Sequence, residues 1–297
     1  SRCRNKRFYS GKLYRILDYM ERQFEGIGVC SGFLMPHPPV LLPEIGKGRE
    51  RDAQKTGAAC IQVATLAAGF APQTVVVISP HAPLFSDYVF VYDEPVLSGS
   101  FARFGAPDIV CTAEQDTELR TAILERLDGE TISAGALSAD RIARMGFDRE
   151  LDHGILVPLY FLQQAGTATK IVGLSSPAMD IAALKRIGQC IAAAARDAGR
   201  NVCVVASGDM SHKVNRESPY GEVAEGAEFD RLVCTALDCS NMSTLYRMDP
   251  VLRARAAECG YASLVMLSSV FENPRCTRYS YEAPFGIGYC VASFEPE

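Results

Sequence analysis

VCVVASGDMSH, Val202–His212, decides the class of fold. Its first five residues are small and apolar with no polar face, which marks a strand buried on both sides. The run stops at Ser207 and Gly208, and Asp209 and His212 follow at once. Two other strand-like runs end the same way. Thr74–Ile78 (TVVVI) leads into Ser79-Pro80-His81, and residues 27–35 lead into Pro36-His37-Pro38-Pro39. Ligands of open α/β sheets collect at the carboxyl ends of the strands. Three of the chain's four histidines therefore stand where a site is expected, and the fourth, His153, sits in the turn-like stretch LDHGI.

The segments between these runs carry helical patterns. Residues 48–68 begin with charges and end Ala-rich. Glu114–Leu127 opens with acidic residues, which suit the positive end of a helix dipole. Ile181–Ala198 follows Asp180, a ready N-cap. Further helices are expected over Glu222–Cys239, on to Arg247, and over Ala256–Phe271. Shorter strands are expected at Tyr88–Tyr92, Asp108–Cys111 and Lys170–Leu174. Pro158 argues against a central strand over Gly154–Leu162 and for a loop or a helix start. Thr277–Ala283 and Gly286–Phe294 close the chain as a hairpin. The alternation gives one α/β domain over residues 24–297, with a central mostly parallel or mixed sheet and helices on both faces. Residues 1–23, rich in Arg, Lys and Tyr, read as an N-terminal extension, helical or disordered.

Composition narrows the function. The chain of 297 residues is 48% hydrophobic and 22% charged, with a net charge of −5. That balance argues against nucleic acid as a partner, because phosphate binding needs a basic face. No apolar run is long enough to span a bilayer, and no secretory signal pattern is seen, so a cytoplasmic location is expected. Of the eleven cysteines, Cys203 lies within a strand-like run and Cys60 and Cys190 within helix-like runs, and there is no CxxC. They read as buried apolar residues in a reducing compartment.

Clustered imidazoles suit metal binding or proton transfer near neutral pH. Two His and one carboxylate with open positions is the arrangement of non-haem Fe(II) sites that handle O2. Three His alone would suit zinc. The motifs MPHPPVLLPEIG (35–46), ISPHAP (78–83), LDHGILVPLYF (151–161), SGDMSH (207–212) and AAECGYASLVML (256–267) run in one order along the chain. In that order they resemble the catalytic B-subunit family of the class III extradiol ring-cleavage dioxygenases, and also its Memo-type relatives, which keep the fold without demonstrated ring cleavage.

The resemblance implies roles by position. His37 and His81 would be imidazole ligands and Glu258 the carboxylate ligand. The adjacent Cys259 is the alternative, since Memo-type proteins have a Cys there, and it would favour softer metals. His212 would be the acid/base group, and His153 a second pocket histidine close to substrate oxygen. Asp209 would hold an imidazole tautomer from behind or serve as a turn residue, and Asp152 reads as a turn residue. The implied cofactor is Fe(II), with Zn, Cu or Mn as other metals. The implied reaction is cleavage of a catechol or aminophenol ring with O2. The alternative is a Memo-like metal-binding protein that works with a partner system. A homodimer or a partner subunit is also expected. Arg103, Arg141 and Arg144 are candidates for a substrate carboxylate.

Overall fold

The valine-rich runs pair with one another because neither of their faces tolerates water. The computed structural model describes residues 28–147, 149–167 and 169–297, so the expected extension over residues 1–23 lies outside the described residues. The sheet strands are β1 (Gly28–Met35), β2 (Thr74–Ser79), β5 (Lys170–Ser175), β6 (Asn201–Ser207), β7 (Pro274–Glu282) and β8 (Tyr289–Pro296). Their spatial order is β5-β2-β6-β1-β8-β7. The first four are mutually parallel, and β8 runs antiparallel to both β1 and β7. The sheet is therefore mixed, with a parallel centre closed on one side by the expected hairpin.

Side chains alternate between two cores. Val76, Ile78, Val202, Val204 and Ala206 face one, while Val75, Val77, Cys203 and Val205 face the other. Helices cover both faces. α1 (Gln54–Gly69) and α3 (His153–Gln164) lie on the second core. α2 (Thr117–Gly129), α4 (Ile181–Asp197), α5 (Ala224–Asp238) and α7 (Tyr261–Ser268) lie on the first. Among the described residues no helix is long and apolar enough to cross a membrane. The ten described cysteines are free thiols.

Several elements differ from their sequence reading. The strand expected at Asp108–Cys111 is longer and paired: β4 (Ala106–Glu114) forms an antiparallel hairpin with β3 (Val96–Phe101). Pro158 lies inside α3, where it removes one i→i−4 bond, and the helix starts five residues earlier on an Asp152 cap. The long helix expected over Ala256–Phe271 is shorter and starts only at Tyr261. α6 (Pro250–Ala256) ends where Ala257 adopts a left-handed conformation (φ 53°), and α7 restarts at Tyr261. Glu258 and Cys259 sit in the break.

That break is pressed against the loop after β6. A Cβ on Gly208 would come 2.1 Å from the Cα of Gly260, so only glycine fits there. Gly208→Ala should destabilise the fold by about 1–3 kcal/mol, as overpacking does. Gly57 in α1 is the contrast, since a Cβ there meets nothing within 4 Å, and Gly57→Ala should stabilise by about 0.5–1 kcal/mol. Urea unfolding of both variants checks the pair. A neutral Gly208→Ala would mean that the two loops do not touch.

Candidate metal centre

Three strand ends and one helix start deliver the four histidines to the carboxyl edge of the parallel strands. His37 follows β1 within a run of prolines that stiffens the turn. It is buried, its backbone N–H donates to Asp209 Oδ1 at 3.0 Å, and its Nδ1 pairs with Ser207 Oγ at 2.8 Å. The ring is thereby fixed with Nε2 turned toward His81 Nε2 at 2.9 Å and Cys259 Sγ at 3.7 Å. His81 follows β2, and its N–H donates to Ser79 Oγ at 3.1 Å. Cys259 is held from the other side: its sulfur accepts from the Asp209 N–H at 3.3 Å, and Gly260 N–H donates to Asp209 O at 2.9 Å.

Ligand atoms of His37, His81 and Cys259 all lie within 4.8 Å of one another. Metal–nitrogen bonds of about 2.0–2.1 Å and a metal–sulfur bond of about 2.3 Å put donors roughly 3–3.6 Å apart around one ion. The separations of 2.9 and 3.7 Å lie close to that range, so the donor set fits a single ion.

Glu258, expected as the carboxylate ligand, is not in this group. Its Oε1 accepts from Arg253 Nε at 3.1 Å and Nη2 at 3.0 Å, and its Oε2 accepts from Tyr261 N–H at 2.8 Å. The carboxylate caps α7 and binds a guanidinium that itself sits over the Tyr261 ring at 3.6 Å. The helix break turns the neighbouring side chain, Cys259, toward the histidines instead. The signal was present in sequence as a Glu three residues before the first helical Tyr. Reading one continuous helix concealed it.

His153 is the first residue of α3. Its ring stacks on His81 at 4.2 Å and meets His37 edge-on at 5.3 Å, with Phe104 5.4 Å away on another side. His212 N–H donates to Ala256 O at 3.1 Å, and its Nδ1 is bonded to the Ala257 carbonyl. A carbonyl only accepts, so Nδ1 carries the proton, and in the neutral ring Nε2 is then the acceptor nitrogen. Tyr220 lies edge-on to this ring at 5.7 Å. Asp209 receives the His37 backbone N–H rather than an imidazole N–H; its Oδ2 is 4.0 Å from His37 Nε2. Asp152 does more than make a turn. It accepts from Ser79 Oγ at 2.5 Å, Tyr92 Oη at 3.0 Å and Gly154 N–H at 2.8 Å. Sequence reasoning missed Ser79 and Ser207, although each is the last residue of its strand. Of the candidate arginines, Arg103 acts electrostatically on His153, Arg141 lies over Phe85, and Arg144 donates to Asp140 O.

Burial keeps the imidazoles neutral. It holds His37 well below the usual histidine range, with further lowering from the other three histidines. Burial, then the neighbouring His153, brings His81 down to about 4; burial and Arg103 bring His153 to about 4. Burial pushes Asp209 up to about 6 and raises Asp152 and the Cys259 thiol. Neutral imidazoles are the form that binds metal.

The His153 shift sets a pH dependence. Unfolded His153 titrates near 6.5 and folded His153 near 4. Between these values the unfolded chain binds more protons, so the residue's contribution to metal-free stability is lost as pH falls through that window. The stability difference between wild type and His153→Gln should therefore rise by on the order of 2–3 kcal/mol from pH 4 to 6.5 and level off above. Urea titrations of both metal-free proteins across pH measure it, and a flat difference would contradict the burial argument.

Comparison with known proteins shows the family and the fold. Residues 31–292 match the family profile "Catalytic LigB subunit of aromatic ring-opening dioxygenase". A Clostridium acetobutylicum protein, "Protein CA_C1420", is 33% identical over 265 residues, covering 89% of this chain and 57% of that protein. The chain thus spans little more than half the length of that relative. A solved structure, the "uncharacterized protein JW3007 from Escherichia coli K12", shares the fold with a TM-score of 0.56 at 16% identity, covering 89% of this chain and 99% of that one. With most of its length matched by that profile, the chain belongs to the family of catalytic LigB subunits of aromatic ring-opening dioxygenases.

Proposed function

We propose that the chain is a Memo-like, metal-binding member of this family, with its ion held by His37, His81 and Cys259. One observation carries the reading: Cys259 Sγ lies 3.7 Å from His37 Nε2, while the Glu258 carboxylate is tied to Arg253. A thiolate beside two imidazoles favours softer ions, copper and zinc, over the hard preference of a carboxylate site. A bound ion would supply Lewis acidity and, if iron or copper, redox chemistry toward an oxygen-donor ligand.

The chain's own residues divide the remaining work. Ser207 fixes the His37 ring through Nδ1, so that Nε2 faces the ion. The partly buried Cys259 thiol must lose its proton on metal binding, which makes metal affinity rise with pH. His212, protonated at Nδ1 toward Ala257, presents Nε2 to take a proton from a ligand hydroxyl. His153, stacked on His81, walls the ligand space. The reading includes a partner protein acting with the centre.

A second reading is Fe(II)-dependent cleavage of a catechol or aminophenol ring with O2. The family match and the retained His153 and His212 favour it.

Anaerobic purification and metal analysis test the centre. Cys259→Ala and His37→Ala should lower metal affinity at least tenfold, while Glu258→Gln should keep it. Full metal in Cys259→Ala with loss in Glu258→Gln would reverse the ligand assignment. On Fe(II)-loaded protein, an oxygen electrode with a panel of catechols and aminophenols should show no uptake. Stoichiometric uptake with a ring-opened product, abolished in a metal-replete His212→Phe variant, would instead support the second reading.

A further inference from the structure

Three described tyrosines are buried: Tyr92, Tyr261 and Tyr289. A buried tyrosine hydroxyl normally finds a hydrogen-bond partner. Tyr92 Oη donates to Asp152 and Tyr261 Oη to Leu245 O. The partly buried Tyr281 also finds one, donating to Asp230 at 2.6 Å. Tyr289 is 2% exposed, yet its hydroxyl bonds to no described residue.

The sheet register says where that side chain goes. β1 and β8 pair as Gly32 with Phe294, Phe33 with Ser293 and Leu34 with Ala292. The ladder ends at Leu34 with Ala292, and counting three residues past that last pair along each chain would bring Tyr289 level with His37. The alternation of side chains puts Phe33, Met35 and Val291 in one core and Leu34, Ala292 and Phe294 in the other. Tyr289 has the parity of Val291 and its ring meets Phe285, which packs on that core, so it projects from the first set's face, while His37 stands just past the end of β1. The start of β8 also lies against the loop that carries Asp209: Met210 N–H donates to Gly288 O and Gly288 N–H to Ser211 O, each at 2.8 Å. Burial, then the nearby Asp209, pushes the Tyr289 hydroxyl far up, with Cys259 adding to the effect. It stays a neutral donor at any working pH. Outward from it, the Phe285 ring is 6.4 Å away, and the Arg49 guanidinium sits over that ring at 5.0 Å. A neutral donor hydroxyl within electrostatic reach of Cys259 and of the Arg49 guanidinium suits an anion.

We infer that the Tyr289 hydroxyl donates a hydrogen bond to an anionic exogenous ligand bound at the His37–His81–Cys259 centre. The inference rests on the proposed metal site. It adds Tyr289 to the three ligands, His153 and His212 as a sixth side chain of that site, and it gives the site a ligand class, a small anion with a lone pair facing β8.

The full chain loaded with Co(II), titrated with azide and followed by visible absorption, tests it alongside Tyr289→Phe and Tyr281→Phe. Tyr289→Phe should bind one Co(II) as wild type does. It should unfold at the same or a higher temperature, because no protein hydrogen bond is lost, and it should bind azide about tenfold more weakly, the size expected for a hydrogen bond to a charged group. Tyr281→Phe should lose stability and leave azide binding unchanged. Azide affinity within twofold of wild type in cobalt-replete Tyr289→Phe would overturn the inference alone. A drop in stability of Tyr289→Phe matching that of Tyr281→Phe would also overturn it, since the hydroxyl would then have a protein partner. Failure of wild type to bind stoichiometric Co(II) would overturn the metal reading and this inference together.

Discussion

The site depends on one close crossing. Gly208, at the end of β6, lies against Gly260 in the break between α6 and α7, too near for any Cβ. Asp209 sits at the crossing and joins three segments. Its N–H reaches Cys259 Sγ, its carbonyl accepts from Gly260, and its carboxylate accepts from the His37 backbone. Residues separated by more than two hundred positions in sequence are thus set around one aspartate. If the crossing opened, Cys259 would leave the histidines, and neither strand end alone could restore it.

The same crowding sets the electrostatics. Three imidazoles share a space in which His37 is buried and His81 and His153 are partly buried, so protonating any one is opposed by burial and by nearby groups, the other histidines or Arg103. Metal-free, the cluster stays neutral and holds together through the His37–His81 contact and ring stacking. Asp209 supplies the compensating polarity without becoming a ligand, since one oxygen is committed to the His37 backbone. Asp152 plays the parallel part behind His81, capping α3 while gripping Ser79 and Tyr92.

Much of this was legible in sequence because it depends on local pattern. Apolar runs such as Val202–Ala206 admit only a doubly buried strand, and a His just past each strand end must fall on the sheet's carboxyl edge. What was not legible depends on tertiary contact. Ala256–Phe271 has a composition that any helix would accept, and nothing local says that Ala257 turns left-handed there. That one dihedral decides whether Glu258 or Cys259 faces the histidines. The β3–β4 hairpin was hidden for a similar reason: its strands are half-exposed, and their pairing satisfies the backbone where side-chain pattern is weak. The strand-end serines and the unpartnered Tyr289 hydroxyl gain meaning only once their surroundings are known.

In the proposed metal centre the third ligand is Cys259 and not the glutamate beside it. X-ray absorption fine structure at the metal edge of anaerobically purified protein tests it most directly. The account expects one sulfur scatterer at about 2.3 Å beside two imidazole nitrogens, with the sulfur lost in Cys259→Ala. A first shell of nitrogen and oxygen alone in the wild type, unchanged in Cys259→Ala and altered in Glu258→Gln, would contradict it.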